Sequence, residues 1–257
     1  MRKKLKKLFP ITSQTSDQDK LILIKVSEII GKKIKNYSYL EIGSFLGGSL
    51  TPFLLDKNCK KILSIDKRNQ VVEDENHEQW SYENISEKTM LENLKKHKIN
   101  INKLIALNGD ISHLKIKGKY DLSFIDGIHT DKNVFSDFLN SLDYMKQDSI
   151  ILFHDSHMIF NALILIKIFL NKNKYDYKFI KFKNSSISAI FLGKFQNNIL
   201  SNNLTEDFNK FINYAKEGML LHHVNNRIKV KFWISKFLKG KPPYRFLIKD
   251  VKKKSVL

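Results

Sequence analysis

Five apolar runs alternating with helix-patterned segments constrain this chain most. They are "YLEIG" (39–43), "KILSID" (61–66), "KLIALNGD" (103–110), "YDLSFIDG" (120–127) and "SIILFHDS" (149–156). Between them lie helix-patterned segments at 47–57, 82–98 and 131–146, and another precedes them at 17–35. Strands that are apolar throughout must be buried on both faces, and intervening helices supply that cover. Beyond 156 comes a further helix, then "DYKFIKFK" (176–183) and "SSISAIFLGKF" (185–195). A tight Asn-Ser turn would fold these last two into an antiparallel hairpin. The pattern predicts an α/β fold: a doubly wound, mostly parallel, seven-stranded Rossmann-like sheet closed by a C-terminal hairpin. It divides the chain into a basic segment and helix (1–35), the sheet domain (36–196) and a basic helical extension (197–257).

Ligands of such sheets sit at the carboxyl ends of the strands, near the switch in strand order. Here all five strand ends are polar: Glu41-x-Gly43, Asp66, Asp110, Asp126 and His154-Asp155. One acid at a strand end is ordinary turn chemistry, but five together describe a site. The first end, "YLEIGSFLGGSL", carries a glycine turn. It is not G-x-G-x-x-G, because Phe45 stands where the second glycine would be. Gly43, Gly47 and Gly48 permit a tight turn and close approach of a ligand. A helix beginning near Gly48 would aim free N–H groups at a carboxylate or phosphate, and Ser49 can add a hydroxyl. Asp66 is placed to hold a ribose diol, and Asp110, after Gly109, to accept from an adenine amino group. The plainer alternative for Asp66 and Asp110 is helix capping.

The net charge is +19, yet 1–10 carries five basic groups and 227–257 eleven against Asp250 alone, leaving the middle near neutral. Either the ends are simply solvated, or they are basic arms for anionic membrane lipid or nucleic acid. No nucleic-acid-binding module accompanies them. The single cysteine, Cys59, excludes an intrachain disulfide. Pro10 and "TSQTSDQD" interrupt the N-terminal stretch before any signal-peptide core, so a cytoplasmic protein is expected, with peripheral contact at the inner membrane face left open.

Together, "YLEIGSFLGGSL", "SID", "NGD" and "SFIDGIH" resemble the class I S-adenosylmethionine-dependent methyltransferases. The E-x-G-x-x-x-G-x-S turn resembles the catechol-type O-methyltransferase version. The pair "FIDGIHT" and "ILFHDS" is similar to the cephalosporin hydroxylase-like and sugar O-methyltransferase branch. The resemblance spans 39–156 and fades through 195. It implies S-adenosyl-L-methionine bound by Glu41, Gly43, Ser44, Gly47, Ser49, Asp66, Gly109, Asp110 and Asp126. A dehydrogenase would need the missing glycine to seat a pyrophosphate; a phosphate-free methyl donor tolerates Phe45.

Methyl transfer to a hydroxyl needs alignment and a way to handle the acceptor proton, by a general base or a divalent metal. Asp126, His129, His154 and Asp155 are the candidate catalytic residues, with His157 a lesser one. The branch resembled here places an acid after strand four and an acidic pair after strand five, implying metal ligands at Asp126, His154 and Asp155. An "HD" pair in place of two acids leaves Mg or Mn, or no metal, open. The polar segment 69–90 is long for its position and carries Trp80 and Tyr82, which suits a lid or acceptor wall. The expected partner is a small carbohydrate acceptor, as in making a surface polysaccharide. An RNA-modifying methyltransferase gripping through the basic tails is the alternative. Assembly into homo-oligomers is left open.

Overall fold

The computed structural model describes residues 2–197 and 203–237. In order, the elements are α1 (Arg2–Leu8), α2 (Asp17–Lys33), β1 (Tyr37–Ile42), α3 (Thr51–Leu55), β2 (Cys59–Asp66), β3 (Val71–Glu73) and β4 (Gln79–Ser81). There follow α4 (Glu87–Lys96), β5 (Leu104–Asn108), β6 (Tyr120–Ile125), α5 (Asp131–Leu142), β7 (Met145–Phe153) and α6 (Phe160–Lys172). The last are β8 (Tyr177–Phe182), β9 (Ser188–Leu192), β10 (Thr205–Glu206) and α7 (Phe208–Phe237).

The main sheet runs β10-β8-β9-β7-β6-β1-β2-β5, with β3 and β4 forming a separate two-stranded sheet. β5, β2, β1, β6 and β7 are parallel, and β9, β8 and β10 add antiparallel. All five predicted strands form, and every residue of β1 and β6 is buried, as a sheet covered on both faces demands. Strand order reverses between β1 and β6, which defines the crevice where ligands enter.

The sheet has eight strands rather than the predicted seven. Two residues after the hairpin, Thr205 and Glu206, pair with Phe182 and Lys181, and Lys181 meets Glu206 at 3.5 Å. They cover part of an open edge. The hairpin link is also longer than a two-residue turn. Residues 183–187 join β8 to β9, with Asn184 at φ +55°. The serines of this link donate to Asp19 at the start of α2, Ser185 Oγ at 2.6 Å and the Ser186 N–H at 2.8 Å.

On one face, α2 packs Ile22, Leu23, Val26 and Ile30 into a cluster with Tyr39, Phe53, Leu122, Ile150 and Phe182. Each side chain of this size contributes about 1.5–3 kcal/mol on burial. Tyr39 stacks on Phe53 with centroids 3.8 Å apart. On the other face, Phe138 of α5 packs against Phe153 and Phe169.

The helix predicted over 47–57 shrinks to Thr51–Leu55. Gly47 at φ +87° breaks helical geometry, and Pro52, lacking an N–H, is tolerated only in a first turn. The expected helix start at Gly48 is therefore a turn. Likewise α4 begins only at Glu87, where the Ser86 side chain caps the Thr89 N–H. The chain divides into two compact units, Met1–Ala215 and Lys216–Leu257. In the second, α7 continues to Phe237, while the predicted basic tail beyond that residue lies outside the described residues. Among the described residues, no helix is long and apolar enough to cross a membrane.

Candidate active site

The glycine turn is pinned from three sides. The Gly43 N–H donates to the Ile65 carbonyl at 2.8 Å, and the Asp126 N–H to the Ile42 carbonyl at 2.8 Å. The ends of β1, β2 and β6 thus meet at Gly43. Phe45 sits at φ +45°, a left-handed conformation costing an L-residue roughly 1–2 kcal/mol. Its N–H donates to Asp66 Oδ2 at 2.8 Å, and its ring meets Tyr82 edge-on at 5.5 Å. Asp66 therefore braces the turn rather than capping a helix. Burial raises its pKa, partly offset by Arg68.

Beneath the turn lies Glu41, fully buried. It accepts from Ser49 Oγ and from the Tyr39 hydroxyl, both at 2.5 Å. Burial outweighs those bonds and pushes its pKa up to about 8, so at neutral pH it is mostly a protonated brace for Ser49. Neither Glu41 nor Gly47 borders the cavity; Gly47 faces Met90 and Leu94 instead. The other residues singled out as cofactor contacts do border it: Gly43, Ser44, Ser49, Asp66, Gly109, Asp110 and Asp126. Asp110 also takes the capping role. Its Oδ1 accepts from the Ser112 N–H at 2.9 Å and Ser112 Oγ at 2.5 Å, which lowers its pKa.

The cavity measures about 520 Å³, within the roughly 300–1,000 Å³ of small-molecule sites. Sequence reasoning missed two parts of its wall. Arg68 is buried, and its Nη2 donates to Ser44 Oγ at 2.7 Å. The segment Ser13–Thr15 also lines it, lying across the turn so closely that a Cβ on Gly48 would come 2.7 Å from that of Ser13. The segment 69–90 contains the β3–β4 hairpin and borders the cavity. Its Glu75 N–H donates to the His129 carbonyl at 3.0 Å, and Glu75 Oε2 accepts from the Asp131 N–H at 2.9 Å. Trp80 donates from Nε1 to Asp74 Oδ2 at 3.0 Å while staying 43% exposed, so part of its ring is free for a partner.

At the ends of β6 and β7 the four predicted catalytic residues converge. His129 Nε2 lies 3.1 Å from Asp126 Oδ1, and its Nδ1 lies 3.0 Å from Asp155 Oδ2. His154 Nδ1 lies 2.8 Å from Asp126 Oδ1 and 3.5 Å from Asp155 Oδ2. On its far side, His154 Nε2 stands 3.6 Å from Asp19 Oδ2, another residue the sequence did not disclose. Burial alone would lower the His129 pKa, but the two carboxylates outweigh it and raise it to about 9. His154 is likewise held well above its ordinary value, chiefly by Asp126 against its burial. Asp126 and Asp155 are depressed in turn, the histidines overcoming burial. Three carboxylates thus demand positive charge at two imidazoles.

That demand matches what a divalent cation would meet. Asp126, His129 and His154 each offer one ligand atom, all within 4.8 Å of one another, and both His154 ring nitrogens are buried. The grouping differs from the predicted Asp126, His154 and Asp155, since His129 takes the third place and Asp155 stands behind it. Carboxylates commonly orient ligating histidines in this way.

A pH prediction follows for chelator-treated protein. The folded pKa of His129 is raised above the unfolded value of 6.5, so its stabilising contribution is complete below pH 6.5 and lost as pH rises through 9. Glu41, also raised, acts in the same direction between its unfolded 4.5 and about 8. The melting temperature should fall from pH 6.5 to 9, and His129→Gln should flatten the decline above pH 8. A flat wild-type curve over that range would contradict the charge assignment.

With fold and geometry described, the chain can be set beside known proteins. Residues 40–156 match the family model described as a methyltransferase domain. This stretch, which carries the glycine turn and the ends of the parallel strands, is thus similar to a methyltransferase domain. The O-methyltransferase NovP is similar in structure at 12% identity, covering 68% of this chain and 79% of that one, with a TM-score of 0.52. An O-methyltransferase from Bacillus cereus in complex with SAH shares 12% identity over 74% of this chain and 89% of that one, TM-score 0.49. TomG from Streptomyces achromogenes, an O-methyltransferase in complex with SAM, shares 8% over 74% and 86%, TM-score 0.49. At such identities the likeness speaks for the fold alone. No curated protein matches the chain.

Proposed function

We propose that this protein transfers the methyl group of S-adenosylmethionine to a hydroxyl of a small, sugar-like acceptor. The observation that carries the reading is convergence. One cavity is bordered by the glycine turn and Asp66 on one side and by Asp126, His129, His154 and Asp155 on the other. The donor's amino-acid end would lie over the turn at Gly43 and Ser44, its ribose at Asp66 and its base toward Asp110. Transfer is an in-line displacement. The acceptor oxygen bonds the methyl carbon, the carbon–sulfur bond breaks with its electron pair left on sulfur, and the hydroxyl proton passes to a carboxylate of the cluster, whose three acids outnumber its two imidazolium ions.

Asp126, His129 and His154 are the residues that would hold a divalent ion. Bound there, such an ion would polarise the acceptor hydroxyl and lower its pKa. The chain's own part is positioning: Asp155 orients His129, Asp19 faces His154, and the β3–β4 hairpin excludes water. Trp80 beside Asp74, Glu73 and Gln70 offers an aromatic face amid polar groups, which suits a sugar ring. The exposed lysines of α1 and the basic C-terminal sequence support contact with anionic lipid, so a lipid- or nucleotide-linked surface-glycan precursor is the acceptor class we favour.

Two measurements test this. Calorimetry should find S-adenosylmethionine binding that Asp66→Ala weakens tenfold or more, by roughly the 1–3 kcal/mol of a lost charged hydrogen bond; undiminished affinity would sink the ribose assignment. S-adenosylhomocysteine release should then be followed with a panel of nucleotide-linked sugars and simple diols. Turnover only with RNA, together with a salt-sensitive band shift, would move the reading to the nucleic-acid alternative.

A further inference from the structure

One carboxyl on the cavity wall has no role in this reading. Asp137 lies on the second turn of α5, four residues after Asn133, and both side chains border the cavity. Among the described residues, nothing donates a hydrogen bond to it or pairs with it. It occupies room that Gly127 leaves open: a Cβ there would come 3.2 Å from Asp137 Oδ2. The short turn Ile111–His113 packs against α5. Asp137 therefore stands at the Asp110 end of the cavity, with Ile111 and Ile128 also in that wall.

Burial of this carboxyl, with the nearby charge of Asp110 adding to it, pushes its pKa up to about 7. Of the elements packed against α5, the Ile111–His113 turn brings Asp110. From β6 follows Asp126, across Gly127 and already engaged by two histidines. From α6 comes Asn161, which bonds Asp131 and is uncharged. Below about pH 7 an unpaired acid of this kind is protonated and is a hydrogen-bond donor as well as an acceptor. Adenine presents the matching pair along one edge, an amino donor beside a ring-nitrogen acceptor.

We propose that Asp137 reads the adenine of the cofactor, its carboxyl O–H donating to a ring nitrogen while its carbonyl oxygen accepts from the exocyclic amino group. This rests on the S-adenosylmethionine reading of the cavity and extends it to a base-selecting residue. Gly127 is the consequence on the opposite wall, because any side chain there would push the acid aside. Ionisation removes the donor and sets a negative charge against a lone pair, so the base is held by the protonated form.

The test is calorimetry of the full chain with S-adenosylhomocysteine from pH 6 to 9, alongside its analogue carrying unsubstituted purine, whose base lacks the exocyclic amino donor. Wild-type affinity should fall about tenfold per pH unit above pH 7, and the purine analogue, with no amino group to donate, should bind about tenfold more weakly at pH 6. An amide keeps both donor and acceptor but cannot ionise. Asp137→Asn should therefore bind as tightly as wild type at pH 6 and lose the fall above pH 7. Asp137→Leu should lose affinity tenfold or more at pH 6 and cease to discriminate the purine analogue. The proposal is overturned if Asp137→Asn retains the wild-type pH dependence, or if a folded Asp137→Leu still prefers adenine. Wild-type protein that binds neither ligand at any pH would overturn the cofactor reading itself, a separate result. The isosteric asparagine variant keeps the test decisive should the leucine variant fail to fold.

Discussion

Asparagine in place of Asp155 should cut methyl transfer by about 10²- to 10⁴-fold, the usual worth of a group governing proton transfer, while leaving cofactor affinity unchanged. The substitution separates charge from structure unusually well. Asp155 stands at φ +46°, where asparagine is among the most tolerated non-glycine residues. The amide is also isosteric, so the backbone has no reason to move. What changes is the charge 3.0 Å from His129 Nδ1 and 3.5 Å from His154 Nδ1. Without it both imidazoles lose part of what keeps them protonated, and His129 loses the partner that sets its ring.

The readout should be kcat and KM for the acceptor identified above, with S-adenosylhomocysteine affinity by calorimetry as the control. A fall in kcat with unchanged cofactor binding supports the assignment. Unchanged kcat would remove Asp155 from the chemistry and leave Asp126 with the histidines. The chelator response adds to this. If a bound ion polarises the hydroxyl, chelation and Asp155→Asn both lower kcat; if a carboxylate of the cluster takes the proton without an ion, only the substitution does.

How much of this was visible in the sequence depended on the reach of each signal. The five strands and their polar ends were legible because burial on both faces writes a continuous apolar run, and strand ends in this fold are where a site must lie. Asp126, His129, His154 and Asp155 were legible for the same reason, by position. Asp19 was not, since on its own it is a helix-capping residue paired with Ser16; only the folded sheet brings it to His154. Asp137 was hidden within an amphipathic helix, where an acid normally faces water. Glu41 was legible as part of the glycine motif, but its place under the turn follows from the neighbouring Tyr39 and Ser49. The eighth strand has two residues, too few for any periodicity, and the helix after the turn is shorter than its 47–57 pattern because Gly47 is left-handed and helical bonding starts only at Thr51. The hydrogen bond from Phe45 to Asp66 gives a physical account of how a bulky residue sits where a dinucleotide fold would place glycine.

Gly43→Ala should be the most damaging single change to the fold. Two penalties coincide there. The backbone is at φ +85°, a conformation costing a non-glycine residue about 1–3 kcal/mol. The added methyl would also stand 2.0 Å from the Asp126 carbonyl oxygen and 2.7 Å from the Gly127 nitrogen. Both are backbone atoms of β6's end, which no rotamer change can clear, and forcing β1 and β6 apart adds roughly 1–3 kcal/mol of overpacking or more. The sum, about 2–6 kcal/mol, is a large fraction of the roughly 5–15 kcal/mol by which domains are stable. A melting temperature lower by about 10 °C or more is the expected result for a domain of this size, together with loss of cofactor binding, because Asp126 and the turn would no longer share one wall. Gly48→Ala provides the contrast. Its Cβ would meet Ser13 Cβ and the Thr12 carbonyl, atoms of a segment lying over the turn rather than of the sheet. That segment can shift, so Gly48→Ala should spare the melting temperature far better while weakening cofactor affinity. Equal destabilisation by the two substitutions would mean that the N-terminal segment is as rigidly part of the core as the strand ends themselves.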